Sequence, residues 1–231
     1  MRFRRSIGIL SCAAMLAGCA HTYQAEAEKS GFLGDYSMLR KGQEGEASLV
    51  YRKWDNDPAK WSSYKAILLE PVQIWKGEKT ELDKEDAEYI AKYAWSRVDE
   101  ELRKDIRITS TPGPGMLRVQ IAITEAGKNH PMVDLLTTLH PGTRLVSEGK
   151  KWAGGTESFV GAVSVEVKIT DSDSGELLAA AVDRRGGGKY LTKGFHRWTD
   201  AEEAFTYWAK QLRWRLCLLR GGINCGALKP E

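Results

Sequence analysis

Gly161-Ala162-Val163-Ser164-Val165-Glu166-Val167-Lys168-Ile169-Thr170-Asp171-Ser172-Asp173-Ser174-Gly175-Glu176-Leu177-Leu178-Ala179-Ala180-Ala181-Val182 is the stretch that decides the fold. Phe159, Gly161, Val163, Val165, Val167 and Ile169 fall on one face of an extended chain, and Ser164, Glu166, Lys168 and Thr170 on the other. A period of two marks a strand with one buried face. Asp171 to Gly175 carries turn residues, so Leu177 to Val182 returns as the partner strand of a hairpin.

Working outward, Leu117, Val119, Ile121 and Ile123 alternate after the break at Pro112-Gly113-Pro114-Gly115. Ile106-Arg107-Ile108 reads as a short strand, and Tyr64 to Trp75 as a strand bent at Pro71, which has no amide proton to give a sheet. Two helices complete the set. Ile90, Ala94, Val98 and Leu102 make one stripe of a helix over 82–104, with Thr80 or Asp83 as its cap. Phe205, Trp208, Leu212, Leu216 and Leu219 make the stripe of a second, which starts at Thr199, takes Glu202 as the far half of a capping box, and ends at Gly221-Gly222. Each helix has one apolar stripe and the sheet one apolar face. The expected fold is therefore α+β: a mostly antiparallel sheet with two main helices packed on one face, a two-layer sandwich.

The other end of the chain speaks of destination. Met1-Arg2-Phe3-Arg4-Arg5 is basic, and Ser6 to Leu16 contains only small and apolar residues. A basic start before a short apolar run is the secretory pattern, and the run is well under the roughly 20 residues needed to cross a bilayer. Leu16-Ala17-Gly18-Cys19 is similar to the lipobox of bacterial lipoproteins. That resemblance implies diacylglycerol on the Cys19 sulfur, cleavage between Gly18 and Cys19, and acylation of the new amino group. Several acyl chains, at about 0.8 kcal/mol per buried methylene, would hold the protein firmly on a membrane. Residue 20 is alanine, with no aspartate to suggest retention at the inner membrane. The expected location is the inner leaflet of the outer membrane of a Gram-negative envelope, facing the periplasm.

Removing residues 1–18 changes the charge. The whole chain has 34 Lys and Arg against 31 Asp and Glu. Arg2, Arg4 and Arg5 leave with the signal, so 34 − 3 = 31 bases face 31 acids and the net charge is zero. The basic balance belongs to the export signal, and nucleic acid is not an expected partner. The expected division is a signal over 1–18, a lipid-anchored tether and wrapping segment over 19–50, one α+β domain over 51–222 and a tail over 223–231. Within the tether, Ala20 to Lys29 reads as a polar spacer, and Phe32, Leu33 and Tyr36 as anchors that dock onto the domain.

Ser30-Gly31-Phe32-Leu33-Gly34-Asp35-Tyr36-Ser37-Met38-Leu39, Tyr64-Lys65 through Glu70-Pro71-Val72, and Gly175-Glu176-Leu177-Leu178-Ala179-Ala180-Ala181-Val182-Asp183-Arg184-Arg185 together resemble the uncharacterised bacterial lipoproteins grouped as domain of unknown function 3313 (DUF3313). The resemblance implies an exported lipoprotein of one domain and supplies no catalytic residues.

Candidate chemistry is sparse. His21, His130, His140 and His196 form no metal-binding pair in sequence, so no metal or cofactor is expected. Gly142 to Lys151 has the wrong spacing for a phosphate loop, and Ser164 lies inside a strand without the following glycine of a nucleophile elbow. Asp171, Asp173 and Gly175 open like a calcium loop but lack its later ligands, which favours a plain turn. Asp183-Arg184-Arg185-Gly186-Gly187-Gly188-Lys189 is the most suggestive segment. Arg184, Arg185 and Lys189 beside a glycine run could receive an anion, against the simpler reading of a strand end with local ion pairing. Cys217 and Cys225 are either a short-loop disulfide or two separate thiols. Pro131 to Val146 is either a core helix or an exposed apolar flap, and Trp54, Trp61, Trp152 and Trp198 fall in expected loops. The expected function is that of a non-enzymatic envelope structural or adaptor lipoprotein that meets a protein or peptidoglycan. The alternative is a small-ligand-binding or hydrolytic domain using Asp183, Arg184 and Arg185.

Overall fold

The computed structural model describes residues 22–75, 82–127, 162–186 and 198–226. Among these residues nine strands form one sheet: β1 (Tyr23–Ala25), β2 (Arg40–Lys41), β3 (Leu49–Arg52), β4 (Ala66–Leu69), β5 (Gln73–Ile74), β6 (Arg107–Thr109), β7 (Met116–Ala126), β8 (Ala162–Asp171) and β9 (Leu177–Gly186). The helices are α1 (Pro58–Ser62), α2 (Lys84–Leu102) and α3 (Thr199–Leu219). Strand order is β2-β3-β9-β8-β7-β4-β6, with β1 beside β3 along β9 and β5 beside β4 along β7. The expected α+β architecture holds, with both long helices against one face of the sheet.

The β8–β9 hairpin is its centre. Its turn is locked by one carboxylate, since Asp171 Oδ1 accepts from the amides of Asp173 and Ser174 at 3.0 and 2.8 Å and from Ser174 Oγ at 3.0 Å. Asp171 Oδ2 accepts from Tyr64 Oη at 2.9 Å. These bonds hold the Asp171 carboxyl below its ordinary range, the Ser174 amide first. Both oxygens are engaged, so this segment is a turn as read. Gly175 closes it at φ 75°, a conformation that a side chain would strain.

The sheet is mostly antiparallel as expected, and it also has a parallel part: beyond β4 the chain bends at Pro71 and crosses back through α2, so β4 lies parallel to β6 and β7, and β5 parallel to β7. Two features depart from the sequence reading. In β7 the register slips between Ile123 and Glu125. One extra residue reverses the parity of the strand, so Ala126 is buried like Ile123 while Glu125 turns to the outer face. The second departure is on the N-terminal side. Three short strands of the expected tether and wrapping segment belong to the sheet, since β1 pairs with β9 (Tyr23 with Gly186), β2 with β3, and β3 with β9 (Leu49 with Val182).

The core lies between the sheet and α2 and α3, from Ile67, Leu117 and Ile123 to Ile90, Leu102, Phe205 and Trp208. Asp83 caps α2 by accepting from the Asp86 amide at 2.9 Å. The cap expected for α3 is different: Trp198 occupies the N-cap position and makes no side-chain cap bond. Its indole is buried instead, donating to Asp86 Oδ1 at 3.1 Å, and Glu202 accepts from Tyr89 Oη. Trp61 is also buried, its Nε1 donating to the Trp54 carbonyl at 2.8 Å and its ring edge-on to Trp54. A disulfide joins Cys217, in the last turn of α3, to Cys225 beyond the helix, with Cα atoms 5.5 Å apart. Gly222 lies against it, since a Cβ there would stand 2.5 Å from the Cys217 sulfur.

Candidate functional site

Strand periodicity sorts the charged run at the end of β9. Asp183 and Arg185 point to the helix face, and Arg184 between them points to the outer face. On the helix side Asp183 is buried and accepts four bonds. Oδ1 takes Gln24 Nε2 at 2.7 Å, Ser48 N at 2.9 Å and Ser48 Oγ at 2.7 Å, and Oδ2 takes Trp208 Nε1 at 2.7 Å. One carboxylate therefore ties β1, the start of β3 and α3 to the central hairpin. Arg185, only 2% exposed, donates from Nε to Thr22 Oγ1 at 2.9 Å and from a terminal nitrogen to the Thr22 carbonyl, and stacks 3.9 Å over the Tyr207 ring.

Arg184 on the outer face grips Glu125 with two bonds, 2.7 and 3.0 Å, and Ser164 Oγ donates to the same carboxylate at 2.7 Å. The bulge in β7 is what delivers Glu125 there. These placements engage both arginines of the suggested anion site, Arg184 and Arg185, with protein partners. The strand runs on through Gly186, so the two guanidinium groups lie on opposite faces, each with its own protein partner. Asp183 pairs with neither of them. Lys189, Gly18, Cys19, Trp152, the four histidines and the 131–146 segment lie outside the described residues. Among the described residues, no group of His, Cys, Asp and Glu is placed to hold a metal ion.

The helix face also holds a feature that sequence reading missed. Between α3 and strands β3, β8 and β9 lies a cavity of about 130 Å³, walled by Val50, Val98, Val165, Ala181, Leu212 and Leu216 among others. Short side chains along β9, Ala179 and Ala181, leave the space open. The signal in the sequence is the alanine run itself, opposite a helix stripe of leucines. Asp183, Gln211, Glu46, Arg52 and Arg215 form its polar boundary.

At that rim, burial works against the Glu46 charge, yet the Gln43 amide and Arg52 outweigh it and hold the carboxyl below its ordinary range. Arg52 Nη1 reaches Glu46 at 2.7 Å, while Arg215 stands 3.4 Å from the same carboxylate. Burial lowers the Arg215 pKa, and its Nε is shielded from solvent without an acceptor. The volume matches that of one benzene-sized group, with an apolar wall on one side and the charged rim on the other.

The outer face is covered differently. Glu166, on the polar face of β8, is fully buried. It accepts from Ser30 N at 2.7 Å, Leu33 N at 3.2 Å and Tyr36 Oη at 2.7 Å. Phe32 packs edge-on against Trp75, and the Lys168 ammonium lies 4.4 Å from the Phe32 ring. Phe32 and Tyr36 thus anchor the wrapping segment as read, and the buried hub they close over is the surprise.

A family model described as a protein of unknown function, DUF3313, matches residues 28–212. No curated protein matches the chain significantly. Among solved structures, a leucine-to-methionine variant of the PelC dodecamer from Paraburkholderia phytofirmans aligns at a TM-score of 0.37 and 12% identity, over 71% of this chain and 90% of that one. A second PelC dodecamer structure from the same organism aligns at 0.36 and 15%, over 63% and 84%. Both TM-scores are too low to carry an argument about this chain.

Proposed function

We propose, for a chain that belongs to the DUF3313 family of proteins of unknown function, that it is an exported lipoprotein whose acylated Cys19 fixes a non-enzymatic structural or adaptor domain on the periplasmic face of the outer membrane. The observation that carries this reading is Leu16-Ala17-Gly18-Cys19 at the end of a basic and then apolar leader. The Cys217–Cys225 disulfide supports an oxidising compartment. The engagement of Asp183, Arg184 and Arg185 in bonds between elements supports a scaffold over a hydrolase. The partner would be an envelope protein or peptidoglycan.

The test has two parts. Mass spectrometry of the protein from intact cells should show the acyl mass on a chain that starts at Cys19, and Cys19→Ala should move the protein to the soluble fraction. Crosslinking from Tyr51, on the cavity rim, should then capture an envelope component that the Cys19→Ala control does not. Capture equal in the two would count against the adaptor role.

The cavity favours a second reading, a small-ligand-binding domain that holds an apolar group beside Arg215. Benzene or indole should raise the melting temperature of the soluble domain, and Leu212→Trp, which fills the space, should abolish that rise. No shift with either probe would leave the adaptor reading alone.

A further inference from the structure

Arg215 stands at the rim of the cavity beside α3, and its charge is poorly matched there. The side chain is 26% exposed, and the Trp214 ring holds the guanidinium in place from 4.4 Å away. Its acceptors are distant. Nη1 lies 3.4 Å from Glu46 Oε1, and Nη2 lies 3.5 Å from the Glu44 carbonyl. Nε is shielded from solvent and has no acceptor among the described residues. A guanidinium with a carboxylate of its own bonds it at about 2.7–2.9 Å.

Glu46 does not fill that role. Its Oε1 accepts from Arg52 Nη1 at 2.7 Å and its Oε2 from the Gln43 amide at 2.8 Å, so both oxygens are committed. Arg52 is doubly held, since it also reaches Asp55 at 2.7 Å. Asp183, bonded to Trp208 about 10 Å back along α3, already accepts four bonds, about all that a carboxylate can take. Burial works against the Arg215 charge, and the attraction of Glu46 does not offset it. A half-buried cation with an idle donor suits an acceptor from outside the chain, and a charged acceptor best.

We infer that the cavity binds a small apolar monocarboxylic acid, with its carboxylate on Arg215 at the rim and its hydrocarbon body inside against Val98, Val165, Ala181 and Leu212. The inference rests on the ligand-binding reading above and names the class of ligand. A space of about 130 Å³ takes one ring, or a chain of about six carbons. The charges fix the pose. The saturated Asp183 repels an anion, so the apolar end goes in first and the carboxylate stays at the Arg215 end. A dicarboxylate would set its second charge against the apolar wall and is excluded.

Equilibrium dialysis of the full-length protein against phenylacetate and its neutral isostere phenylacetamide tests the class. Phenylacetate should bind about tenfold more tightly. Arg215→Gln should erase that preference, while benzene still raises the melting temperature of the variant as it does in the wild type. Should Arg215→Gln fail to fold, Arg215→Lys keeps the charge beside Glu46 but loses the planar fork, and its preference should fall about threefold. Binding of benzene or indole with no preference for phenylacetate would overturn the carboxylate and leave the ligand-binding reading standing. A preference unchanged in the Arg215 variants would overturn it as well. No binding of benzene, indole or phenylacetate would remove the ligand-binding reading and the inference together.

Discussion

The two faces of the central sheet are covered by opposite means. On the helix face, α2 and α3 bury a continuous apolar layer, with one polar hub, Asp183, at the place where four donors converge. On the outer face, residues 30–36 cover β8 around Glu166, with the Phe32 and Tyr36 rings closing over it. Large apolar areas are non-directional and tolerate small shifts, so a helix layer is hard to dislodge by one substitution. A strap closed over one carboxylate has most of its hold in a single group. The same protein therefore contains a robust interface and a fragile one, about a strand's thickness apart.

The comparison makes Asp183 the exception on the robust side, and substituting it should give the largest effect. Asp183→Ala leaves the Trp208 indole, the Ser48 amide and the Gln24 amide facing an empty site, which should cost about 3–5 kcal/mol. Asp183→Asn, which keeps one acceptor, should cost clearly less by denaturant unfolding. If both variants unfolded at the wild-type midpoint, the hub would be incidental to the packing of α3.

Glu166→Ala, the matching change on the outer face, should cost less, about 1–3 kcal/mol, because the freed amides of Ser30 and Leu33 can turn to water once the strap lifts. The sharper readout is local. Protease should cut between Ser30 and Leu39 in the variant at an enzyme level that leaves the wild type whole, with α2 and α3 still protected in hydrogen exchange. Simultaneous loss of helix protection would show that the two faces do not come apart separately.

Phe32→Ala against Phe205→Ala compares one aromatic ring per face. The ring in the helix layer should cost about 3–5 kcal/mol. Phe32 should cost about half of that, as the strap can settle toward Trp75. Equal costs would mean that the outer face is packed as tightly as the core.

The smallest effect is at the hairpin turn. Burial, then the bond to Asp171, pushes the Tyr64 hydroxyl up to about 12 from its ordinary 10. A raised value favours the neutral phenol in the folded state. The stability it contributes is whole below pH 10 and is lost as pH rises toward 12. Stability should fall across that window in the wild type, and the slope should be shallower in Tyr64→Phe. An unchanged slope would assign the loss to other groups, of which Tyr89, also raised to about 12 by its bond to Glu202, is the first to try.

Much of the scaffold was legible because it depends on local pattern. The two-residue alternation of Val163 to Ile169, the turn chemistry of Asp171 to Gly175 and the four-residue stripe from Ile90 to Leu102 each carry their own signature. Phe32 and Tyr36 were readable as anchors for a similar reason, being large rings in an otherwise glycine-rich stretch. What escaped was parity and partnership. Trp61 and Trp198 sit beside loop-forming residues and read as loop residues, yet both indoles enter the core and find acceptors there. Glu125 reaches the outer face only because a bulge in β7 shifts the count by one. Arg184 and Arg185 look like a pair in sequence and are separated by the thickness of a strand.

The sequence by itself determined the α+β class, the two helices, the hairpin and the family, all of which follow from periodicities and local chemistry that survive without neighbours. It also carried the leader and Cys19, the basis of the proposed anchor. Tertiary structure alone decided that Tyr23 to Ala25 is a strand rather than a spacer, that Glu166 is buried and that a cavity opens opposite the alanines of β9. Each depends on which distant group arrives to complete a hydrogen bond or fail to fill a space. For a three-residue strand, the decisive partner lies some 160 positions away in the chain.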